Sequence, residues 1–162
     1  MQKTYYKSPI GILEIKGDEN GIQSILFDDA STTLEVTNEV KIPDSLQNCV
    51  SQLDEYFSGE RKEFEVKLNP QGTDFQQKVW QELLNIPFNK TRSYLEQTKA
   101  IGDIKAIRAV ASANGKNPIS IIIPCHRIIG SDGSLTGYAG GIWRKKWLLE
   151  HEGVLQKQQT LF

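Results

Sequence analysis

Apolar positions gather in short β-rich runs over the first 27 residues and recur at helical spacing from Asp44 onward, so the chain reads as strands first and helices later. Residues 4–6, 10–16 and 22–27 are short runs rich in β-branched and aromatic side chains. Ser8 and Pro9 separate the first two, and Gly17, Asp18, Asn20 and Gly21 supply turn chemistry before the third, which predicts an antiparallel meander. From Asp44 a helix is expected, because Leu46, Cys49, Val50, Leu53 and Phe57 fall on one face and Gly59 supplies a stop. Cys49 lies on that apolar stripe and is read as core. Residues 64–68 alternate again, which predicts one more half-buried strand.

Asn69-Pro70-Gln71-Gly72 is a short cluster of turn formers and the natural boundary, dividing the chain into residues 1–69 and 70–162. Beyond it Thr73 and Gln76 have the spacing of a capping box, opening a helix whose stripe is Phe75, Val79, Leu83 and Ile86 and whose stop is Pro87. Ser93 and Glu96 form a second capping box. The helix they open closes at Gly102, and Asp103 caps another that runs from Ile104 to about Asn114. Two short helices around a glycine turn outline a helix-turn-helix, although plain helical hairpins share that outline. In the second helix Ile107, Val110 and Ala111 are expected to face inward. Lys105, Arg108, Ala109 and Ser112 are expected to face outward, with Ala113 at the edge, giving a surface both cationic and small enough to approach a narrow groove. A polar tail follows Gly153.

Charge sharpens this picture. The 162 residues carry a net charge of −1, but residues 1–70 hold 7 Lys/Arg against 13 Asp/Glu, while residues 71–162 hold 12 against 7. The basic half is the one with the helix pair, which points to a polyanionic partner. With no apolar run of membrane-spanning length and no charged-then-apolar leader at Met1, a cytoplasmic protein without a membrane partner is expected. Two cysteines suit a reducing compartment, and with only His126 and His151 beside them no zinc-ligand spacing arises, so neither a metal nor a cofactor is expected.

The chemistry concentrates in one stretch. Ile121, Ile122 and Ile123 predict a buried strand that Pro124 interrupts, and Cys125 and His126 follow at once. Neighbouring side chains on a regular strand point to opposite faces, so thiol and imidazole cooperate only if the strand breaks there. His126 then has the chemistry to take the thiol proton, directly or through a water, and Glu152 offers a carboxylate to orient it. A cysteine in an apolar run also serves as a small hydrophobe.

Pro124-Cys125-His126-Arg127, preceded by Asn117-Pro118 and followed by Gly137-Tyr138-Ala139-Gly140-Gly141 and Trp147-Leu148-Leu149-Glu150-His151-Glu152-Gly153, resembles the O6-alkylguanine-DNA alkyltransferases in order and spacing. The resemblance implies an α+β chain: an N-terminal ribonuclease H-like α/β domain, then a mostly helical winged-helix domain with a helix-turn-helix. It implies repair by direct reversal, with an alkyl group passing from O6-alkylguanine, and with O4-alkylthymine as a second lesion to test, to Cys125 in a single turnover. The partner it implies is double-stranded DNA, bound in the minor groove by a monomer that flips the damaged base. Residue by residue, Arg108 matches the arginine that fills the vacated stack, Tyr94 the tyrosine that crowds the phosphate, Asn117 the hinge asparagine and Tyr138 the pocket tyrosine that donates to the base. Asp103-Ile104-Lys105, Leu95 and Ile128-Ile129 depart mildly from the family pattern and touch no reactive group. Two other readings compete: a lesion-sensing regulator with a structural Cys125, and a Cys-His hydrolase of small esters or amides.

Overall fold

Two tight turns fold the first strands into a sheet. The computed structural model describes residues 1–30 and 41–155; the tail expected after Gly153 lies, from residue 156 on, outside the described residues. Strands β1 (Gln2–Ser8), β2 (Gly11–Asp18) and β3 (Gly21–Phe27) form an antiparallel meander in the order β1-β2-β3, with a bulge at Lys16/Gly17. Period-two alternation sends Leu13, Ile15 and Ile25 to the buried face, and the bulge, which leaves Gln23 unpaired in the register, turns Ile22 to the same side. Helix α1 (Asp44–Phe57) covers that face with Leu46, Cys49, Leu53 and Tyr56, all buried. Full burial of each large apolar side chain contributes roughly 1.5–3 kcal/mol. Cys49 is core as expected, and burial pushes its thiol up to about 12.

Both capping boxes form. Thr73 and Gln76 exchange side-chain and backbone bonds at the start of α2 (Asp74–Leu83), and Ser93 and Glu96 do the same at α3 (Tyr94–Ile101). Gly102 takes the left-handed conformation that ends α3, and the Asp103 carboxylate accepts from the Lys105 N–H. A 3-10 turn over Ile104–Ala106 then leads into α4 (Ile107–Gly115). The strand pair β4 (Arg92–Ser93) and β5 (Ile128–Ile129) is parallel, and α5 (Ile142–His151), which the hydrophobic pattern did not announce, closes the fold.

Four expectations are corrected. Residues 64–68 make only an isolated bridge, Leu68 to Ile22, because the β3 edge is shared with Ile119 from the C-terminal half, bridged to Ile25. Residues 121–123 are turns and not a strand, although all three isoleucines are buried. Phe75 is 37 % exposed, and Trp80 is buried instead, its indole N–H donating to the Ala113 carbonyl at 2.9 Å. On α4 the buried residues are Val110, Ala113 and Asn114, while Ile107 and Ala111 are exposed. The helix is rolled so that the Asn114 amide meets the Gln97 amide in two reciprocal 2.7 Å hydrogen bonds. An apolar stripe cannot register such a pair, because either amide buried alone would be left unsatisfied and only the two together make burial tolerable.

Candidate active site

Ile121 has φ +74, a conformation β-branched residues rarely adopt, and it bends the chain so that Cys125 enters a cavity instead of continuing a strand. Asn117 ties this turn from inside. Its amide donates to the Ile123 carbonyl at 2.7 Å and its carbonyl accepts from the Ile119 N–H at 2.9 Å. Residues Cys125–Arg127 form a 3-10 turn, the break that lets neighbouring thiol and imidazole serve one site.

The cavity holds about 230 Å³ and is lined by Tyr94, Asn114, Cys125, Gly137, Tyr138 and residues of the adjoining helix α4. Cys125 is partly exposed to it. Burial raises its thiol pKa, with the Asn117 side chain and the Lys145 ammonium pulling the other way, so the resting group is a protonated thiol that needs a base. His126 sits behind it, fully buried. Desolvation lowers its pKa against the pull of Glu152, so the imidazole is neutral at physiological pH. Its Nε2–H donates to Glu152 at 2.7 Å, which leaves Nδ1 as the lone-pair nitrogen, buried and unpartnered among the described residues.

Glu152 is buried at the end of α5 and receives bonds from three residues. Arg127 donates from Nε at 2.7 Å and Nη2 at 3.0 Å, His126 from Nε2, and Tyr56 from its hydroxyl at 2.7 Å. Burial alone would raise this carboxyl; its electrostatic and hydrogen-bonding contacts with His126 first, then those with Arg127, outweigh it and hold the group at about 2. Since the imidazole is neutral, the charge compensating Glu152 is that of Arg127, whose Nη1 is anchored on the Ile86 carbonyl at 2.6 Å.

A loop from Thr136 to Gly141 roofs the cavity. Tyr138 points its hydroxyl inward, buried and without a hydrogen bond among the described residues, and burial first, then the neighbouring sulfur, push it well above 10. Tyr94 reaches the loop, donating to the Thr136 carbonyl at 3.0 Å. Arg144 anchors the loop to the sheet: it donates to Ile10 at 2.8 Å and Gly140 at 3.2 Å, pairs with Asp29, and lies 4.1 Å over the Phe27 ring.

The structure thus brings Cys125, His126, Glu152, Tyr138, Tyr94 and Asn117 to one place. Lys105, Arg108, Ala109 and Ser112 are elsewhere, exposed on the outer face of the helix pair. Sequence reasoning missed Lys145, fully buried, whose Nζ donates to Thr136 at 2.9 Å and Gly137 at 3.3 Å and whose pKa burial lowers to about 8. The signal existed: Lys145, Leu148, Leu149 and Glu152 share one helical face, and a cation on a buried stripe needs a partner. It also missed Arg127 and Tyr56.

Comparison with known proteins agrees with this geometry. The model for the 6-O-methylguanine DNA methyltransferase DNA binding domain matches residues 74–154, and that for the ribonuclease-like domain of the same methyltransferase matches residues 1–70. A methylated-DNA–protein-cysteine methyltransferase of Methanosarcina acetivorans is 46% identical over 154 residues, covering 94% of this chain and 99% of the relative. One of Mycobacterium tuberculosis is 48% identical over 145 residues, covering 90% and 88%. The crystal structure of the Mycobacterium tuberculosis O6-methylguanine methyltransferase superposes with a TM-score of 0.80 at 44% identity, covering 98% of this chain and 96% of that one. A structure of Mycobacterium tuberculosis OGT in complex with DNA gives 0.82 at 45%, covering 94% and 92%. With both halves matched, a thiol lining a cavity roofed by Gly137, Tyr138 and Ala139, and the next residue's imidazole bonded to a buried carboxylate, the chain belongs to the methylated-DNA–protein-cysteine methyltransferase family.

Proposed function

We propose that this protein repairs DNA by direct reversal, taking the alkyl group of O6-alkylguanine onto Cys125 once per molecule. The observation that carries the reading is a cavity-lining thiol followed directly in sequence by a carboxylate-oriented imidazole whose Nδ1 has no partner among the described residues. His126 Nδ1, through a water, takes the thiol proton. The thiolate attacks the saturated carbon in line, forming the S–C bond as the C–O6 bond breaks. The electron pair stays on the purine oxygen, toward which Tyr138, whose hydroxyl has no hydrogen bond among the described residues, donates. The product is a thioether with no carbonyl for water to attack, so Cys125 is not regenerated.

Base delivery completes the reading. The division into residues 1–69 and 70–162 separates a sheet-bearing domain from the one that meets DNA. The exposed face of α4, with Arg108, Ala109 and Ser112, enters the minor groove beside Lys105 of the preceding 3-10 turn; its small side chains permit close backbone approach. Arg108 occupies the gap left by the flipped guanine, Tyr94 crowds the neighbouring phosphate, and the protein acts as a monomer. No helix among the described residues is long and apolar enough to cross a membrane, and a cytoplasmic setting suits the two free thiols.

The test is incubation with duplex DNA carrying a labelled O6-methyl group. The expected result is label on Cys125 at no more than one per protein. Repeated turnover would favour the hydrolase reading, and binding without loss of the methyl group would favour the lesion sensor. Arg108→Ala is expected to slow repair in duplex DNA on the order of 100-fold, because it removes the group that offsets unstacking, while leaving reaction with free O6-methylguanine nearly unchanged. Equal losses on the two substrates would remove the finger role.

A further inference from the structure

We propose that Tyr56, on α1 in the N-terminal half, is a positioning residue for the alkyl transfer: its hydroxyl sets the orientation and basicity of the Glu152–His126 relay. This deepens the repair reading and rests on it. The Tyr56 hydroxyl donates to Glu152 Oε2 at 2.7 Å, and that same oxygen receives the His126 Nε2–H at 2.7 Å. Both donors are fully buried. Arg127 engages both Glu152 oxygens from one side, so the Tyr56 bond is the one that comes from the other half of the chain, 96 residues away in sequence.

The tyrosine is held where this requires. Its ring packs at centroid distances of 5.2 Å on Phe57, 5.4 Å on Phe64, 6.4 Å on Phe88 and 4.9 Å on His151. The His151 Nε2–H donates to the Tyr56 backbone carbonyl at 2.7 Å, locking the end of α1 to the end of α5. The sheet-bearing half therefore does more than cover the reactive half. It supplies a donor two hydrogen bonds from the base, and any shift of α1 against α5 reaches the imidazole.

The expected sign follows from hydrogen bonding to an anion. A donor on Glu152 spreads its charge and weakens its grip on the imidazole proton; without that donor the carboxylate is more basic and His126 protonates more readily. The other charged and titratable groups facing the relay are Arg127 on the 3-10 turn, Lys145 and His151 on α5, Tyr138 on the roof, and Cys125 itself. Arg127 and Lys145 oppose protonation of His126, and both remain when the hydroxyl is removed.

Tyr56→Phe removes the hydroxyl and keeps the ring among its neighbours. Single-turnover methyl transfer should slow roughly tenfold near pH 7, the loss expected for one bond to a buried charged group. The acid limb of the rate profile should move up by about one pH unit, because neutral His126 is the competent base. In a Glu152→Gln background the same substitution should cost no further rate, since the hydroxyl acts through the carboxylate. An unchanged profile, a loss by one common factor at every pH, or additive losses in the double variant would each overturn the proposal. Wild-type protein in the same assay keeps the readings separate: failure there would count against the repair function and not against Tyr56.

Discussion

Cys125→Ala is expected to bring methyl transfer to background while leaving the fold and the binding of lesion-bearing DNA intact. Cys125 is only partly buried and faces a cavity, so loss of its sulfur leaves no sealed void and should change stability by no more than about 1 kcal/mol. No other group can take its place. The chain's other cysteine, Cys49, lies in the core on α1 with its thiol pushed up to about 12. Cys125→Ser should be as inactive, since a hydroxyl beside the same neutral imidazole lacks the ionisability and softness of sulfur. The measurement is intact-protein mass after incubation with O6-methylguanine DNA, alongside a binding titration with the same duplex. A 14 Da gain is roughly one methyl in place of one hydrogen, and its persistence in the alanine variant would place the nucleophile elsewhere and sink the assignment.

Much of this arrangement was readable because its causes are local. A capping box is decided within four residues, so Thr73 with Gln76 and Ser93 with Glu96 mark the starts of α2 and α3 as the structure has them. The β-rich runs and the turn formers between them likewise announce the meander, since each run and each turn is decided locally. What could not be read depends on residues distant in sequence. The roll of α4 follows from Gln97 meeting Asn114, two polar residues that an apolar stripe ignores. The loss of a strand at residues 121–123 follows from the Asn117 amide bridging Ile119 and Ile123, which substitutes a side-chain tie for a ladder. The carboxylate partner of His126 was offered by Glu152, beside the other histidine of the chain, but its further partners could not be read. Tyr56 belongs to a different element and Arg127 looks from sequence like one more surface cation. Lys145 shows the same limit, because its compensation comes from the Thr136 and Gly137 carbonyls and not from any acidic side chain.

Glu152→Ala is expected to damage stability and transfer together, and by more than any other change outside Cys125. The substitution strands the Arg127 guanidinium, buried with its Nε and Nη2 turned toward the lost oxygens, and leaves the Tyr56 hydroxyl and the His126 N–H without acceptors. Breaking a buried pair from one side costs about 3–5 kcal/mol, which for a chain of this size lowers the melting temperature by roughly 10 °C or more. The pH dependence gives an independent measure. Glu152 is held at about 2 in the folded protein, below the ordinary carboxylate range it recovers on unfolding. Its contribution is therefore fully present above that range, and it is lost as pH falls toward 2. Buried His126, with its pKa lowered, acts in the same direction: the unfolded chain takes up a proton below about pH 6.5 that the folded one refuses. Urea unfolding of the wild type should thus lose stability in two stages on acidification, first the imidazole and then the carboxylate. Glu152→Ala should begin lower and lack the second stage. Its transfer rate at pH 7 should fall at least about 100-fold, as the imidazole loses the acceptor that keeps the proton on Nε2 and the lone pair on Nδ1. A variant that melts with the wild type, or that still shows the carboxylate stage, would mean that the charge of Arg127 is compensated by another group.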